Sequence, residues 1–143
     1  MNDWIEKMTI IAELYNRKAV KEITRILWVD DNPQNNKNVI LDLQDRGIIV
    51  DLAITTEQAM EMYEKKSYAV IITDTARGSK YDAGYQLCRL LSSNNNRTPT
   101  MLYSTEDTIK KYGDKFCSLG VSFMTSDCFA LRKRIYDIVG IEE

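Results

Sequence analysis

A chain of 143 residues with 44% hydrophobic and 28% charged content has room for one packed core and lacks the composition of a disordered segment. The 19 basic and 21 acidic residues leave a net charge of -2 with no long run of one sign, so no nucleic-acid or membrane-surface partner is expected. Histidine is absent, which excludes Ser-His and Cys-His catalysis and imidazole zinc sites. Any chemistry must run on carboxylates, hydroxyls, amines or a hard metal.

The opening stretch MNDWIEKMTIIAEL is charged within its first residues and carries only a short apolar run, unlike a signal peptide. No window approaches the ~20 apolar residues of a membrane span. Cys88, Cys117 and Cys128 show no CxxC spacing and read as reduced thiols, so a cytoplasmic protein is expected. Residues 1–24 are predicted to form an amphipathic helix. Trp4, Met8, Ile11 and Tyr15 recur at helical spacing beside Ile5, Ala12 and Ala19, with Glu6, Lys7, Glu13, Arg17 and Lys18 on other faces. Asn2 or Asp3 is its expected cap. The apolar stripe must cover itself by docking on its own domain, by pairing with a second copy as a homodimer, or by meeting another partner.

From Arg25 the pattern alternates. RILWVD reads as a buried strand, and PQNNKNVILDLQDRG as a helix opening on Pro33 and stopping at Gly47. IIVDLAI is strand-like, and TTEQAMEMYEKKS is a Thr-capped helix with Ala59, Met62 and Tyr63 on its apolar side. YAVIITD is a continuous apolar strand ending on Asp74. A polar loop, TARGSKYDAG, leads into the helix YQLCRLLSS. PTMLYS is a short strand ending on a hydroxyl, and TEDTIKKYGDKFCSLG is a helix with a predicted kink or weak point at Gly113. VSFMTS and DCFALRKRIYDIVG are the last strand and helix, and no further effector domain is expected after Gly140. Five strands alternating with five helices predict an α/β fold, a doubly wound five-stranded parallel sheet with an extra N-terminal helix.

In such sheets ligands sit beyond the carboxyl ends of the strands. Asp30 and Asp31 end the first strand, Asp74 the third and Ser104 the fourth, so all four are expected at one edge. Converging carboxylates repel unless a cation lies among them, and an all-oxygen set suits Mg²⁺. An Asp beside such an ion can act as a nucleophile toward phosphorus. By themselves, Asp30 and Asp31 are also good helix-start residues, and Ser104 an ordinary cap.

The segment from about Arg25 resembles the receiver domain of two-component response regulators. ILWVDDNP is similar to that family's first strand and acidic pair, VIITD to its phosphoacceptor strand, DAGYQLCRLL to the helix after the phosphoacceptor loop, and PTMLYS to the strand bearing its switch hydroxyl. The resemblance implies a flavodoxin-like receiver unit over residues 25–143. It assigns Asp30, Asp31, Asp74 and the backbone carbonyl of Ala76 to Mg²⁺, Asp74 to phosphoacceptance, Ser104 to the phosphoryl hydrogen bond, and Ser104 and Phe123 to switching. The implied partners are a histidine kinase or phosphotransfer protein and a downstream protein, with no enzymatic activity beyond phosphorylation and dephosphorylation of Asp74 itself.

One element of the pattern is missing. The family's lysine after the last strand falls on Ser126 or Asp127 here, and no Lys or Arg lies between Lys115 and Arg132. Its loss removes a charge-assisted contact to the phosphoryl group. Arg77 or Lys80, in a loop about two residues longer than the family's usual one, is the candidate substitute. The alternative reading is therefore a pseudo-receiver, a protein-binding module that works without phosphorylation. A haloacid-dehalogenase-like phosphatase would need a second Asp two residues after Asp74, where Ala76 stands.

Overall fold

The computed structural model describes residues 3–11, 23–75 and 82–141. Asn2, Ala12, Glu13, Tyr15, Arg17, Lys18 and Ala19 of the predicted first helix lie outside these residues, as do Ala76, Arg77, Gly78 and Lys80 of the loop after Asp74. Residues 3–11 form helix α1, and every one of them is exposed, Trp4 at 63% and Met8 at 57%. Docking of the stripe onto its own domain is therefore not what these residues do. They are one helical stretch whose apolar side chains meet solvent.

Five strands follow, β1 (Thr24–Val29), β2 (Ile48–Ala53), β3 (Val70–Thr73), β4 (Thr100–Tyr103) and β5 (Val121–Thr125). They alternate with α2 (Lys37–Asp45), α3 (Thr56–Lys65), α4 (Ala83–Ser93), α5 (Glu106–Ser118) and α6 (Cys128–Val139). All pairings are parallel, in the order β2-β1-β3-β4-β5. Because β1, β3 and β4 are covered on both faces, their side chains are apolar without alternation. Ile26, Leu27, Val29, Ile71, Ile72, Met101 and Leu102 are all fully buried. On one face α2 and α6 pack Val39, Ile40, Leu43, Leu131 and Ile135 against Ile26, Trp28 and Ile72. The opposite face is closed by Ala59 of α3, Leu87 and Leu91 of α4, and Phe116 of α5.

Local chemistry sets the helix ends. Pro33 starts a 3-10 turn over Pro33–Asn36 that hands over to α2, and Gly47 ends α2 with φ +84°, a conformation costly for residues with a Cβ. Thr55 caps α3 by accepting from Gln58 N, while Gln58 Oε1 accepts from Ile54 N. The predicted kink at Gly113 is absent, since α5 runs unbroken from Glu106 to Ser118. A Cβ at Gly113 would stand 3.4 Å from Met124 Cε, an ordinary van der Waals contact, so the helix packs on β5 without requiring a glycine there. The register of β5 against β4 shifts between Thr100 and Met101. After the shift Phe123 packs on the α2 and α6 face under Arg134, whose guanidinium is 5.5 Å from its ring. Met124 packs on the α5 face.

Candidate functional site

With β1 lying between β2 and β3, the chain leaves β1 in one direction and returns in the other. The carboxyl ends of β1 and β3 flank this switch in strand order. Register pairs Val29 with Thr73, so Asp30 and Asp74 emerge side by side, and Asp74 N donates to Val29 O at 3.2 Å. One carboxylate oxygen from each of Asp30, Asp31 and Asp74 lies within 4.8 Å of the others. Asp31 is exposed, Asp30 and Asp74 half-buried.

The arrangement is held from behind. Asp30 Oδ1 accepts from Asn32 N at 2.8 Å, and Asp30 Oδ2 from Asn36 Nδ2 at 3.0 Å. Asn36 is itself buried where the 3-10 turn meets α2. Each carboxylate oxygen keeps a second lone pair after one hydrogen bond, so Asp30 is oriented without being used up. Three anionic oxygens at this spacing fit a small, hard divalent cation in both charge and donor type. The α4 helix backs the site. Gly84 N donates to Thr75 O at 2.8 Å, and a Cβ at Gly84 would lie 1.9 Å from Asp74 O. Only glycine lets α4 approach the end of β3 this closely.

Beyond the carboxylates an open cleft of about 1200 Å³ continues past Thr75 and Ser104 along one side of α5, where Thr105, Thr108, Tyr112 and Lys115 line it. Ser104 N donates to Thr125 O at 3.2 Å, and Thr75 Oγ1 donates to Ser104 Oγ at 2.7 Å. Pairing of Tyr103 with Thr125 sets Ser104 level with Ser126, which also lines the cleft. Asp127 turns the other way. Both of its carboxylate oxygens cap α6, accepting from Phe129 N and Ala130 N at 3.3 Å each. Among the described residues lining the cleft, the cation is Lys115 of α5, its ammonium 5.8 Å from the Tyr112 ring centre. Tyr103, at the end of β4, has its phenol pushed above the ordinary range by burial, then by the neighbouring Cys128 and Asp127.

Of the residues singled out from sequence, Asp30, Asp31, Asp74, Ser104 and Ser126 come together here. Phe123 lies on the other face of the sheet, Asp127 at the cap, and Ala76, Arg77 and Lys80 outside the described residues. Sequence reasoning missed Asn36 and Thr75. An amide six residues after an acid carries no signal by itself, and the hydroxyl pair spans two strands distant in sequence.

The family model for the response regulator receiver domain matches residues 26–129. The chain belongs to the response regulator receiver family, the signalling modules of two-component systems, which generally bind Mg²⁺ and communicate with histidine kinases or phosphotransfer proteins. Solved structures of the same fold include the receiver domain of the Francisella response regulator 1452, at TM-score 0.69 and 20% identity over 82% of this chain and 97% of that one. The Vibrio cholerae chemotaxis response regulator CheY4 superposes at 0.68, with 22% identity over 81% of this chain and 98% of its own. The Thermotoga maritima response regulator TrrA, solved in complex with Mg²⁺ and BeF, gives 0.67 and 19% identity over 81% and 99%. Among curated protein sequences none matches. No helix among the described residues is long and apolar enough to cross a membrane.

Proposed function

We propose that this receiver is phosphorylated on Asp74 with the help of Mg²⁺ held by Asp30, Asp31 and Asp74, and that its output passes through protein contact. The observation that carries the reading is the approach of three carboxylate oxygens within 4.8 Å at the strand-order switch, with the Ser104 hydroxyl in the same cleft. Asp74 would attack phosphorus as the carboxylate, forming an acyl phosphate as the donor's leaving group departs. A bound Mg²⁺ would neutralise charge on the phosphoryl oxygens. Ser104 would then donate to one of these oxygens, and Ala76 would lend its backbone carbonyl to the metal. The donor is a histidine kinase, a phosphotransfer protein or a small acyl phosphate, in the cytoplasm. Residues 25–143 act as the receiver unit, with residues 1–24 an appended helix open to a partner or a second copy.

Ser104 and the last strand carry the switch. Of the two β5 side chains, Phe123 would relay toward α6 and Met124 toward α5. The test is incubation with Mg²⁺ and acetyl phosphate, read by intact mass, together with beryllofluoride titration read by amide NMR. Phosphorylation of the wild type and none of Asp74→Asn is the expected result. An unchanged mass and unchanged spectra would overturn it.

A second reading, the pseudo-receiver that binds its partner without phosphorylation, is favoured by one observation. No basic residue follows β5 near the cleft, where Ser126 stands and Asp127 is committed to the α6 cap. Asp74→Asn separates the two readings, because a pseudo-receiver keeps partner binding and phenotype in that variant.

A further inference from the structure

We propose that Thr75 is a positioning residue that aims the Ser104 hydroxyl into the phosphoryl site. The inference rests on the reading of Asp74 as phosphoacceptor and adds to it a residue that reading does not use. Thr75 follows Asp74 directly, and its Oγ1 donates to Ser104 Oγ at 2.7 Å in a half-buried setting. Both hydroxyls line the carboxylate cleft.

Neither hydroxyl is free to wander, because each backbone is pinned. Thr75 O accepts from Gly84 N at 2.8 Å, fixing it to α4, and Ser104 N donates to Thr125 O at 3.2 Å, fixing it to β5. A serine hydroxyl has one proton and two lone pairs. With one lone pair taken by the Thr75 proton, Ser104 cannot point its own proton back along the same line, and that proton is left for an acceptor elsewhere in the cleft. A hydroxyl that already accepts a hydrogen bond is also a better donor, since linked O–H groups polarise one another. The pair is thus a short relay, Thr75 to Ser104 to a phosphoryl oxygen. It matters more in this chain because the position level with Ser104 on the next strand is Ser126, which brings no charge.

The full chain is titrated with beryllofluoride at saturating Mg²⁺, with Mg²⁺ affinity measured separately. Thr75→Val keeps the shape and removes the hydroxyl, and it weakens beryllofluoride binding about fivefold, the size of one neutral hydrogen bond. Mg²⁺ affinity stays unchanged. Thr75→Ser restores binding to within about twofold, and Thr75→Val adds nothing in a Ser104→Ala background, a coupling that general loosening of the fold does not produce. Equal or tighter binding by Thr75→Val overturns the inference, as does full additivity with Ser104→Ala. If the wild type itself fails to bind beryllofluoride, the phosphoacceptor reading falls and the inference with it. If the wild type binds and Thr75→Val matches it, only the inference falls.

Discussion

Replacing Gly84 with alanine tests how the phosphoacceptor strand is held. The added methyl would sit 1.9 Å from Asp74 O and 3.0 Å from both Asp74 C and Thr75 Cα, all of them backbone atoms with no rotamer to change. A carbon–oxygen contact settles near about 3.3 Å, so the first turn of α4 must retreat by roughly 1.4 Å. That retreat stretches the bond from Gly84 N to Thr75 O. Overpacking costs about 1–3 kcal/mol and a lost backbone hydrogen bond about 1 more, against a helix-propensity gain of at most about 1 kcal/mol. The expected net loss is ~2–3 kcal/mol, or roughly 5–10 °C in melting temperature for a domain of this size. Gly113→Ala is the matched control. Its methyl would meet Met124 Cε at 3.4 Å, Met124 Sδ at 3.5 Å and Ile109 Cγ2 at 3.8 Å, all side-chain atoms at ordinary contact distance, so the propensity gain wins and stability rises by about 0.5–1 kcal/mol. Urea unfolding of both variants at pH 7 decides the matter. If Gly84→Ala is as stable as wild type, the close approach of α4 to Asp74 is wrong.

Ser126→Lys puts a cation back beside the cleft and should tighten beryllofluoride binding about 10- to 100-fold, the range of a charge-assisted hydrogen bond, by titration at fixed Mg²⁺. No change would mean that position 126 does not reach the phosphoryl site. Asp127→Ala removes both acceptors at the start of α6 and should lower stability by about 1 kcal/mol in urea unfolding, while leaving Mg²⁺ affinity as it was. Tyr68 is buried and donates to Asp51 Oδ2 at 2.7 Å, beside Arg25 and Lys66 at 3.5 Å each. Its phenol is raised well above its ordinary value, first by burial and then by the hydrogen bond and charge of Asp51. A raised folded pKa stabilises fully below the unfolded value of about 10, and the benefit is lost as pH climbs through the folded value. Tyr68→Phe should therefore cost about 1–2 kcal/mol at pH 7, and the gap to wild type should narrow above pH 10.

The parts of this molecule that sequence made readable are those set by neighbours along the chain. ILWV and VIIT are unbroken apolar runs because both sheet faces are covered, and the acids ending them stand where the chain leaves the core. The strand order then brings Asp30 and Asp74 level without further information. What stayed hidden depends on pairing across distance. Gly113 looked like a weak point from propensity alone, whereas its packing against Met124 involves another element. The resemblance puts Phe123 on the last strand, and its packing on the α2 and α6 face is visible only once β5 is set against β4. The position after β5 was ambiguous between Ser126 and Asp127, and only the α6 cap separates them.

The distribution of charge around the cleft bears on what kind of switch this receiver is. Asp30, Asp31 and Asp74 bring three negative charges, and the groups beside them on β3, β4 and β5, Thr75, Ser104 and Ser126, bring none. Among the described residues lining the cleft the cation is Lys115 of α5, so a bound Mg²⁺ would add balancing charge and its binding would be linked to that of a phosphoryl group. Hydroxyls donating to a phosphoryl group on Asp74 would make charge-assisted hydrogen bonds, worth about 1.5–3 kcal/mol each. One bond of that size would change a two-state ratio roughly 10- to 150-fold, short of the roughly 5.5 kcal/mol that takes a population from 1:99 to 99:1. Phosphorylated on Asp74 as proposed, such a domain would shift its α5 and β5 surface without switching completely. It would then depend on a partner that distinguishes partial shifts, or on one that binds a single state of it throughout.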